Sequence, residues 1–446
     1  MKPMLLLTAP VATRSGYGSH SRDIAKSLIA MNKFDIKINS MRWGNTPMNA
    51  LSPNDEEDKK IIDRILKEPS TDRQPEIHIQ VSVPNEFTPI AKYNIGITAG
   101  IETTAPKPEW EEGMNRMDMN IVPSKFTKNI FDKVVYEKMD EKTKRKVGDV
   151  KNLKPIEVLF EGIDTTIYKK TKEFSTDLVE QMNMVEERWN FLFVGHWLQG
   201  DVGHDRKDLA MLVKTFLETF KNRQTAPGLI LKTSQATFSV IDRRQILERI
   251  KKIRESINAK TFPNIYLLHG DLEDEEMNQL YNHPKVKAHI SLTHGEGFGR
   301  PLLEATISEK PVIVSNWSGH LDFLNKSQSI LLPGVETKIH QSSLPKEMLV
   351  PEARWFTVNY QQAARYMMHV YKNYKQYSLP TKKLAMANKS KFSLNNMTRK
   401  FEDILNKYLP KFEEAPKAVN LQLPKLKKVG DVKKPAKVKL PKLKRV

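Results

Sequence analysis

The chain has 446 residues, of which 39% are hydrophobic and 28% are charged, and its formal net charge is +19. This is the composition of a globular protein with two or three domains, and it excludes fibrous and wholly disordered classes. Cysteine is absent, which excludes a disulfide scaffold, thiolate catalysis and cysteine-based zinc sites. No apolar run approaches the roughly 18 residues of a spanning helix, and the N-terminus lacks the pattern of a signal peptide, so we expect a cytoplasmic location.

The first half of the chain alternates apolar runs with helical patterns. Residues 4–12 predict a buried strand, Gly16-Tyr17-Gly18 a glycine-containing loop, and residues 24–29 a helix. A dinucleotide fingerprint needs a third glycine, and position 21 is Ser21, so this loop is a poor NAD motif. Further strands are predicted at 34–38, 76–83, 93–99, 119–122 and 156–160, with a helix that starts after Ser124 as its N-cap.

A second series of strands and helices begins after a charged stretch near residues 165–188. Its predicted strands lie at 189–194, 229–232, 265–269, 288–292 and 311–315, and its predicted helices at 209–220, 239–257 and 274–281. Strands that alternate with helices indicate parallel sheets covered on both faces. The two series therefore predict two doubly wound α/β domains that face a cleft, followed by helices between residues 360 and 408.

Residues 411–446 form a basic, repetitive tail. They hold 12 Lys/Arg and 3 Asp/Glu, so +9 of the net charge lies here and +10 lies in the residues before them. The heptapeptide at 423–429 recurs at 440–446 with one Lys-to-Arg change, and its prolines prevent a long helix. Such an excess of positive charge favours a polyanionic partner. The tail suits either contacts to phosphates or docking along a protein surface.

The segment with the clearest chemistry is His-Gly-Glu-Gly-Phe-Gly-Arg-Pro-Leu-Leu-Glu-Ala at 294–305. Its glycines allow a tight turn directly after a predicted strand, and Pro301 suits the start of a helix. The N-terminus of that helix would favour a phosphate or diphosphate. Glu296 and Glu304 can both face one bound molecule, and carboxylates accept hydrogen bonds from sugar hydroxyls.

This segment, followed by Lys-Pro-Val-Ile at 310–313, resembles the signature of retaining GT-B glycosyltransferases of family four. Three further segments are similar to elements of that family: 191–195 followed by Arg206-Lys207, 269–272, and 161–164. The resemblance covers residues 4–390. It implies two Rossmann-like domains, a nucleotide diphosphate sugar as co-substrate with a UDP-sugar favoured, no prosthetic group and no metal.

The resemblance also implies a division of the chain. We expect an N-terminal acceptor-side domain at 1–170 and a nucleotide-sugar-binding domain at 171–385. A C-terminal helix at 386–410 should pack back on the first domain, and 411–446 should be a flexible basic tail.

Roles in donor binding follow from the same resemblance. Glu304 should hold the ribose hydroxyls, and Glu296 should contact the donor sugar at the reaction centre. Lys207, and with it Arg206, should neutralise the diphosphate, although Lys207 is also compatible with an exposed helix lysine. The other donor-binding candidates are Gly297, Phe298, Gly299, Arg300, His196, Lys232, Gly16 and Gly18. Among these, the backbone near Phe298 and Gly299 should contact sugar and diphosphate, and His196 stands where the family usually has arginine.

The remaining candidates lie in the first half. Many family members have a histidine near the end of the fourth strand, but residues 95–104 contain none. Glu102 is the nearest polar side chain, and it would either act on the acceptor hydroxyl or cap the following turn. His20 would be a second catalytic candidate at the cleft edge, although a packed or capping histidine is the commoner role. The acceptor-side candidates are Arg14, Ser19, Ser124 and Lys125.

The predicted reaction transfers a sugar from a nucleotide diphosphate sugar to a hydroxyl, with retention implied by the family. The basic body and tail favour DNA as a partner, and residues 8–18 also resemble glycosyltransferases encoded by tailed bacteriophages. We therefore expect a hydroxylated base in phage DNA as the acceptor. The alternatives are an acceptor in cell-surface polysaccharide or glycolipid synthesis, and a non-catalytic GT-B-like binding protein.

Overall fold

A computed structural model describes residues 2–140, 142–235, 237–343 and 350–412. The tail predicted at 411–446 lies outside these residues except for its first two positions. Residues 2–410 form one compact unit.

The first half contains a six-stranded parallel sheet with the strand order β2-β1-β3-β4-β5-β8. In register, Met4 lies opposite Asp35 and Ile95 opposite Met119. Strands β6 and β7 pair as a separate antiparallel hairpin. The strands are β1 (Met4–Ala9), β2 (Asp35–Ser40), β3 (Ile77–Val81), β4 (Tyr93–Ile97), β5 (Met119–Val122), β6 (Tyr136–Met139), β7 (Lys146–Val150) and β8 (Ile156–Val158), and the helices are α1 (Gly16–Met31), α2 (Glu56–Ile62), α3 (Pro108–Arg116) and α4 (Lys125–Lys133).

The second half repeats this plan with the strand order β11-β10-β9-β12-β13-β14. All pairs in this sheet are parallel, whereas β15 and β16 form an antiparallel hairpin. The strands are β9 (Asn190–Val194), β10 (Gly228–Lys232), β11 (Ile265–Leu268), β12 (Val286–Ser291), β13 (Val312–Ser315), β14 (Ile330–Leu332), β15 (Gly334–Lys338) and β16 (Arg354–Val358). The helices that follow or separate them are α5 (Thr176–Asn183), α6 (Leu209–Phe220), α7 (Val240–Glu255), α8 (Asp274–Asn282), α9 (Arg300–Ile307), α10 (Tyr360–Lys372), α11 (Ser378–Lys391) and α12 (Leu394–Tyr408).

The central strands are largely buried because helices pack against both sheets. Every residue of β3 is buried. In the second half, Phe191 and Phe193 of β9 pack with Phe216 of α6 in one fully buried cluster. Each such phenylalanine contributes roughly 1.5–3 kcal/mol of hydrophobic free energy.

The last helix returns to the first half and lies on α1. The hydroxyls of Ser27 and Thr398 are 2.8 Å apart, and Lys33 Nζ lies 2.6 Å from Glu402 Oε1. Helix α12 therefore joins the end of the described chain to the domain in which the chain begins.

The predicted class, two doubly wound parallel-sheet domains, is confirmed by this topology. The bounds predicted for β5 and α6 match the structure, and Ser124 caps α4 as expected by accepting from the backbone N–H of Thr127. The hairpins β6–β7 and β15–β16 were not predicted. Helix α9 begins at Arg300, one residue before the predicted start at Pro301.

The prediction of a loop at Gly16-Tyr17-Gly18 was wrong. These residues form the first turn of α1, because the Ser15 side chain accepts a hydrogen bond from the backbone N–H of Gly18 and caps the helix at 3.0 Å. The connection between β1 and α1 is therefore shorter than predicted.

Candidate active site

The predicted site residues lie near the carboxyl ends of the strands in the two sheets. In the second sheet the strand order reverses between β9 and β12, and in the first between β1 and β3. Doubly wound sheets bind ligands in the crevice outside such reversals. Loops from the two halves meet here, since the Ser124 hydroxyl donates to the carbonyl oxygen of Gly297 at 2.6 Å.

The glycine-rich loop after β12 approaches the first half closely because it lacks side chains at two positions. A Cβ on Gly297 would lie 2.7 Å from the carbonyl oxygen of Ala99, and one on Gly295 would lie 2.7 Å from that of Glu102. Gly299 has a φ of +93°, a left-handed conformation that suits glycine, and it immediately precedes α9. The N-terminus of α9 then carries the partial positive charge of the helix dipole.

Glu296 is a buried carboxylate held by two cations. Lys207 Nζ lies 2.5 Å and 2.7 Å from its two oxygens, and Arg206 Nη1 lies 3.6 Å from Oε2. Burial raises the pKa of Glu296, but Lys207 and then Arg206 outweigh the burial and bring the pKa down to about 2. The Glu296 backbone N–H donates to the Ser318 hydroxyl at 2.9 Å. Glu296 is therefore an ionised hydrogen-bond acceptor at neutral pH.

Arg206 links this carboxylate to the first half of the chain. Its Nη1 lies 3.0 Å from Glu102 Oε1 and donates to the carbonyl oxygen of Gly295 at 3.1 Å. Burial lowers the pKa of Lys207, whereas in Arg206 the neighbouring carboxylates Glu102 and Glu296 outweigh the burial and raise the pKa. The structure thus brings Glu102, Arg206, Lys207 and Glu296 into one charged cluster.

Glu304 lies in the first turns of α9 and is also buried. Arg300 Nε donates to its Oε1 at 2.9 Å, and the Tyr281 hydroxyl donates to its Oε2 at 3.2 Å. Burial raises the pKa of Glu304 to about 7, although Arg300 opposes the rise. Arg300 also pairs with Asp23 of α1. The Glu304 network therefore reaches across to the first half.

The predicted acceptor-side residues are engaged in contacts within the protein. Arg14 Nε lies 2.8 Å from Asp271 Oδ2, and its Nη2 lies 2.8 Å from Glu273 Oε1, so it joins the two halves. The backbone N–H of Lys125 donates to Asp322 Oδ2 at 3.0 Å.

The beginning of α1 supplies two further candidates. His20 is buried, and within the described residues its Nδ1 has no hydrogen-bond partner. Burial, and secondarily Arg300, lowers its pKa to about 4, so the ring is neutral at physiological pH. The Ser19 hydroxyl accepts a hydrogen bond from Arg22 Nη2 of the same helix at 3.1 Å. Gly18 fits tightly, since a Cβ there would lie 2.2 Å from the carbonyl oxygen of Thr13.

The remaining donor-side candidates lie at the ends of β9, β10 and β12. His196 is exposed, and its Nδ1 lies 3.1 Å from the Ser234 hydroxyl. Lys232 Nζ donates to the carbonyl oxygen of Gly270 at 2.7 Å. The Phe298 side chain is buried and packs 5.1 Å from the Phe323 ring, so that only the backbone of Phe298 is available to a ligand.

Sequence reasoning missed four residues that bond to the site residues or to the loops beside them: Tyr17, Asp23, Tyr281 and Ser318. The Tyr17 hydroxyl lies 3.1 Å from Thr98 Oγ1 and accepts from the Ala99 backbone N–H at 3.0 Å. One signal was present for Asp23, since it lies among the buried positions of α1, where an acidic side chain needs a partner.

The described residues contain no group of three or more His, Cys, Asp or Glu side chains placed to hold a metal ion. None of the helices in the same residues is both long and apolar enough to cross a bilayer.

The chain is similar to known glycosyltransferases. Residues 214–336 match the family model of the glycosyl transferases group 1. Comparison with curated proteins found no match. HepE of Anabaena, solved with UDP and glucose, is 12% identical and superposes with a TM-score of 0.56 over 91% of this chain and 100% of its own. A glycosyltransferase from Rickettsia africae is 15% identical, with a TM-score of 0.58 over 92% and 99%. Sucrose-phosphate synthase from Thermosynechococcus elongatus is 12% identical, with a TM-score of 0.60 over 91% and 99%.

These likenesses show that the chain has the GT-B fold. The family match spans the segment that contains both Glu296 and Glu304, and it supports a glycosyltransferase. HepE has also been solved with UDP-glucose and with UDP alone.

Proposed function

We propose that this protein is a retaining glycosyltransferase that moves a sugar from a UDP-sugar to a hydroxyl of its acceptor. One observation carries the proposal. Two buried glutamates, Glu296 and Glu304, lie on either side of the first turn of α9, with two cations beside the first. A nucleotide sugar has hydroxyls at both ends and negative charge between them, so its groups follow the same order as those of the site.

Each part of the donor then has a partner of suitable chemistry. Glu304 would accept hydrogen bonds from the ribose hydroxyls, and Glu296 from the hydroxyls of the transferred sugar. The N-terminus of α9, Lys207 and Arg206 would stabilise the diphosphate. They would act most strongly in the transition state, because negative charge grows on the phosphate oxygen as the sugar leaves.

The chemical step exchanges one bond at the anomeric carbon for another on the same face. The bond between that carbon and the phosphate oxygen breaks, and a bond to the acceptor oxygen forms. The acceptor proton passes to the departing phosphate, and UDP leaves. Glu102, beside Arg206, and His20, which is neutral at physiological pH, are the side chains best suited to orient the acceptor hydroxyl. Contact between the two halves would keep water from the donor.

For the acceptor, we favour a hydroxylated base in DNA, in a reaction placed in the cytoplasm. The support is electrostatic: a net charge of +19, of which +9 lies in residues 411–446.

A specific observation favours a second candidate, a lipid-linked or surface polysaccharide acceptor. Helix α7 exposes Val240 and Ile241 beside Arg243 and Arg244, and basic helices with exposed apolar side chains bind anionic lipid surfaces.

A transfer assay tests both the enzyme activity and the choice of acceptor. The protein is incubated with UDP-sugars, UDP release is measured, and labelled sugar is followed into duplex DNA with hydroxymethylated pyrimidines or into a glycolipid fraction. Product NMR should show the anomeric configuration of the donor. If the protein neither binds UDP nor releases UDP from any donor, the enzyme assignment is overturned. If it binds UDP but releases none from any donor, it is a non-catalytic binding protein.

Deletion of residues 411–446 tests the role of the tail. If DNA is the acceptor, the truncated protein should bind duplex DNA more weakly and with a shallower salt dependence, because fewer counterions are released. UDP release without acceptor should be unchanged. Equal DNA binding by both proteins would contradict the role of the tail, and label in the glycolipid fraction alone would overturn the DNA acceptor.

A further inference from the structure

Arg300 joins two carboxylates that belong to different halves of the protein. Its Nη1 pairs with Asp23 of α1, and its Nε lies 2.9 Å from Glu304 Oε1 on its own helix. The three side chains are only 8–12% exposed. A buried ion pair of this kind is costly to break by removing one partner, because the remaining charge is left without compensation.

The geometry of the Arg300 guanidinium decides how much capacity the Glu304 oxygens keep to accept further hydrogen bonds. The guanidinium is a planar fork that can bind a carboxylate with two parallel hydrogen bonds. Here Asp23 takes Nη1, and Glu304 receives one bond from Nε on Oε1 and one from Tyr281 on Oε2. Each oxygen of Glu304 therefore keeps capacity to accept another hydrogen bond. Without Asp23, the fork is free to turn and pair with both oxygens.

We propose that Asp23 is a positioning residue for donor binding: by holding Arg300 it keeps Glu304 free to accept the ribose hydroxyls of the nucleotide. Asp23 comes from the opposite half, so this state of Glu304 exists only when the halves are in contact. The inference rests on the proposed function, since it concerns the same nucleotide site. Other ion pairs between the halves, those of Arg14 and of Arg206 with Glu102, do not include Glu304.

The test compares UDP with 2′-deoxy-UDP, because the analogue lacks one of the two ribose hydroxyls that Glu304 would bind. Calorimetry on the full chain gives the ratio of the two affinities. In Asp23→Asn, UDP should bind about tenfold more weakly, within the range of ordinary coupling between sites. The preference for UDP over the deoxy analogue should fall toward one. Inorganic pyrophosphate, which has no ribose, should bind as it does to the wild type.

Two further variants separate this role from a structural one. In an Arg300→Met background, Asp23→Asn should change UDP affinity less than twofold, because Asp23 acts through the arginine. Glu402→Gln removes the ion pair that α12 makes with Lys33, just after α1, at 2.6 Å, and should leave both affinities unchanged. If Asp23→Asn fails to fold, Asp23→Glu keeps the charge and should retain the preference for UDP.

The outcomes separate the two levels. Unchanged discrimination in Asp23→Asn, an equal loss in the Arg300→Met background, or a lost preference for UDP in Asp23→Glu overturns the inference alone. A wild-type protein that binds no UDP overturns the proposed function and the inference with it.

Discussion

Donor binding should depend on pH through Glu304, and the dependence should vanish in Glu304→Gln. The carboxyl is buried, and burial raises its pKa to about 7, with Asp274 adding to the rise and Arg300 and Tyr281 opposing it. A hydroxyl donates more strongly to a carboxylate than to a protonated acid. The affinity for a UDP-sugar is therefore expected to increase as the pH rises through 7.

The magnitude follows from the pKa. Roughly a tenth of the Glu304 side chains are ionised at pH 6 and roughly nine tenths at pH 8. If only the ionised form binds ribose, the dissociation constant falls about tenfold over this interval, or about 1.4 kcal/mol. Glu296 adds no such dependence, because its pKa of about 2 keeps it charged throughout.

Calorimetry with UDP-glucose between pH 6 and pH 8 measures the effect. UDP-glucose is the better probe, because the terminal phosphate of free UDP itself titrates near pH ~6. Glu304→Gln keeps the shape of the side chain without the titration, so its binding should be weak and equal at both pH values. A flat profile for the wild type, or the same slope in the glutamine variant, would refute the reasoning.

Ionisation of Glu304 should strengthen donor binding but lower the stability of the folded protein. The pKa of Glu304 in the folded protein lies above the usual 4.5, so the stabilisation is fully present below pH 4.5 and is lost as the pH rises through about 7. Between pH 5 and pH 8 the wild type should lose about 2–3 kcal/mol of unfolding free energy relative to Glu304→Gln. Urea unfolding of both proteins at the two pH values checks this.

Three substitutions test the packing of the site, and a fourth, Gly148→Ala, serves as a control. Lys207→Met removes one of the two positive charges beside Glu296, so urea unfolding should show a loss of about 3 kcal/mol in the free energy of unfolding. Calorimetry should show at least tenfold weaker UDP binding. Wild-type values in both measurements would contradict the pairing. Gly297→Ala places a methyl group 2.7 Å from the Ala99 carbonyl oxygen and should lower sugar transfer at least tenfold. Gly148→Ala, with nothing within 4 Å of the added carbon, should transfer normally. Gly18→Ala should lower the free energy of unfolding by about 1–3 kcal/mol, because its Cβ would lie 2.2 Å from the Thr13 carbonyl oxygen; an unchanged urea midpoint would show that the helix start can relax.

Much of the fold could be predicted from the sequence because its signals are local. Buried parallel strands are short apolar runs, and the helices between them repeat their apolar positions every three or four residues. Strand β5 and helix α6 were found with their observed bounds for this reason. The hairpin β6–β7 was missed because its residues are mostly exposed and carry no apolar pattern.

The sequence by itself placed Glu296 and Glu304 in one contiguous signature beside a predicted strand and helix, and so predicted both as residues of the candidate site. Only the tertiary structure decided what those residues touch. Asp23 lies 277 positions from Arg300, and Arg14 lies 259 positions from Glu273. No local pattern encodes such pairs, because they form only when the carboxyl ends of the strands in the two sheets come together in the tertiary structure.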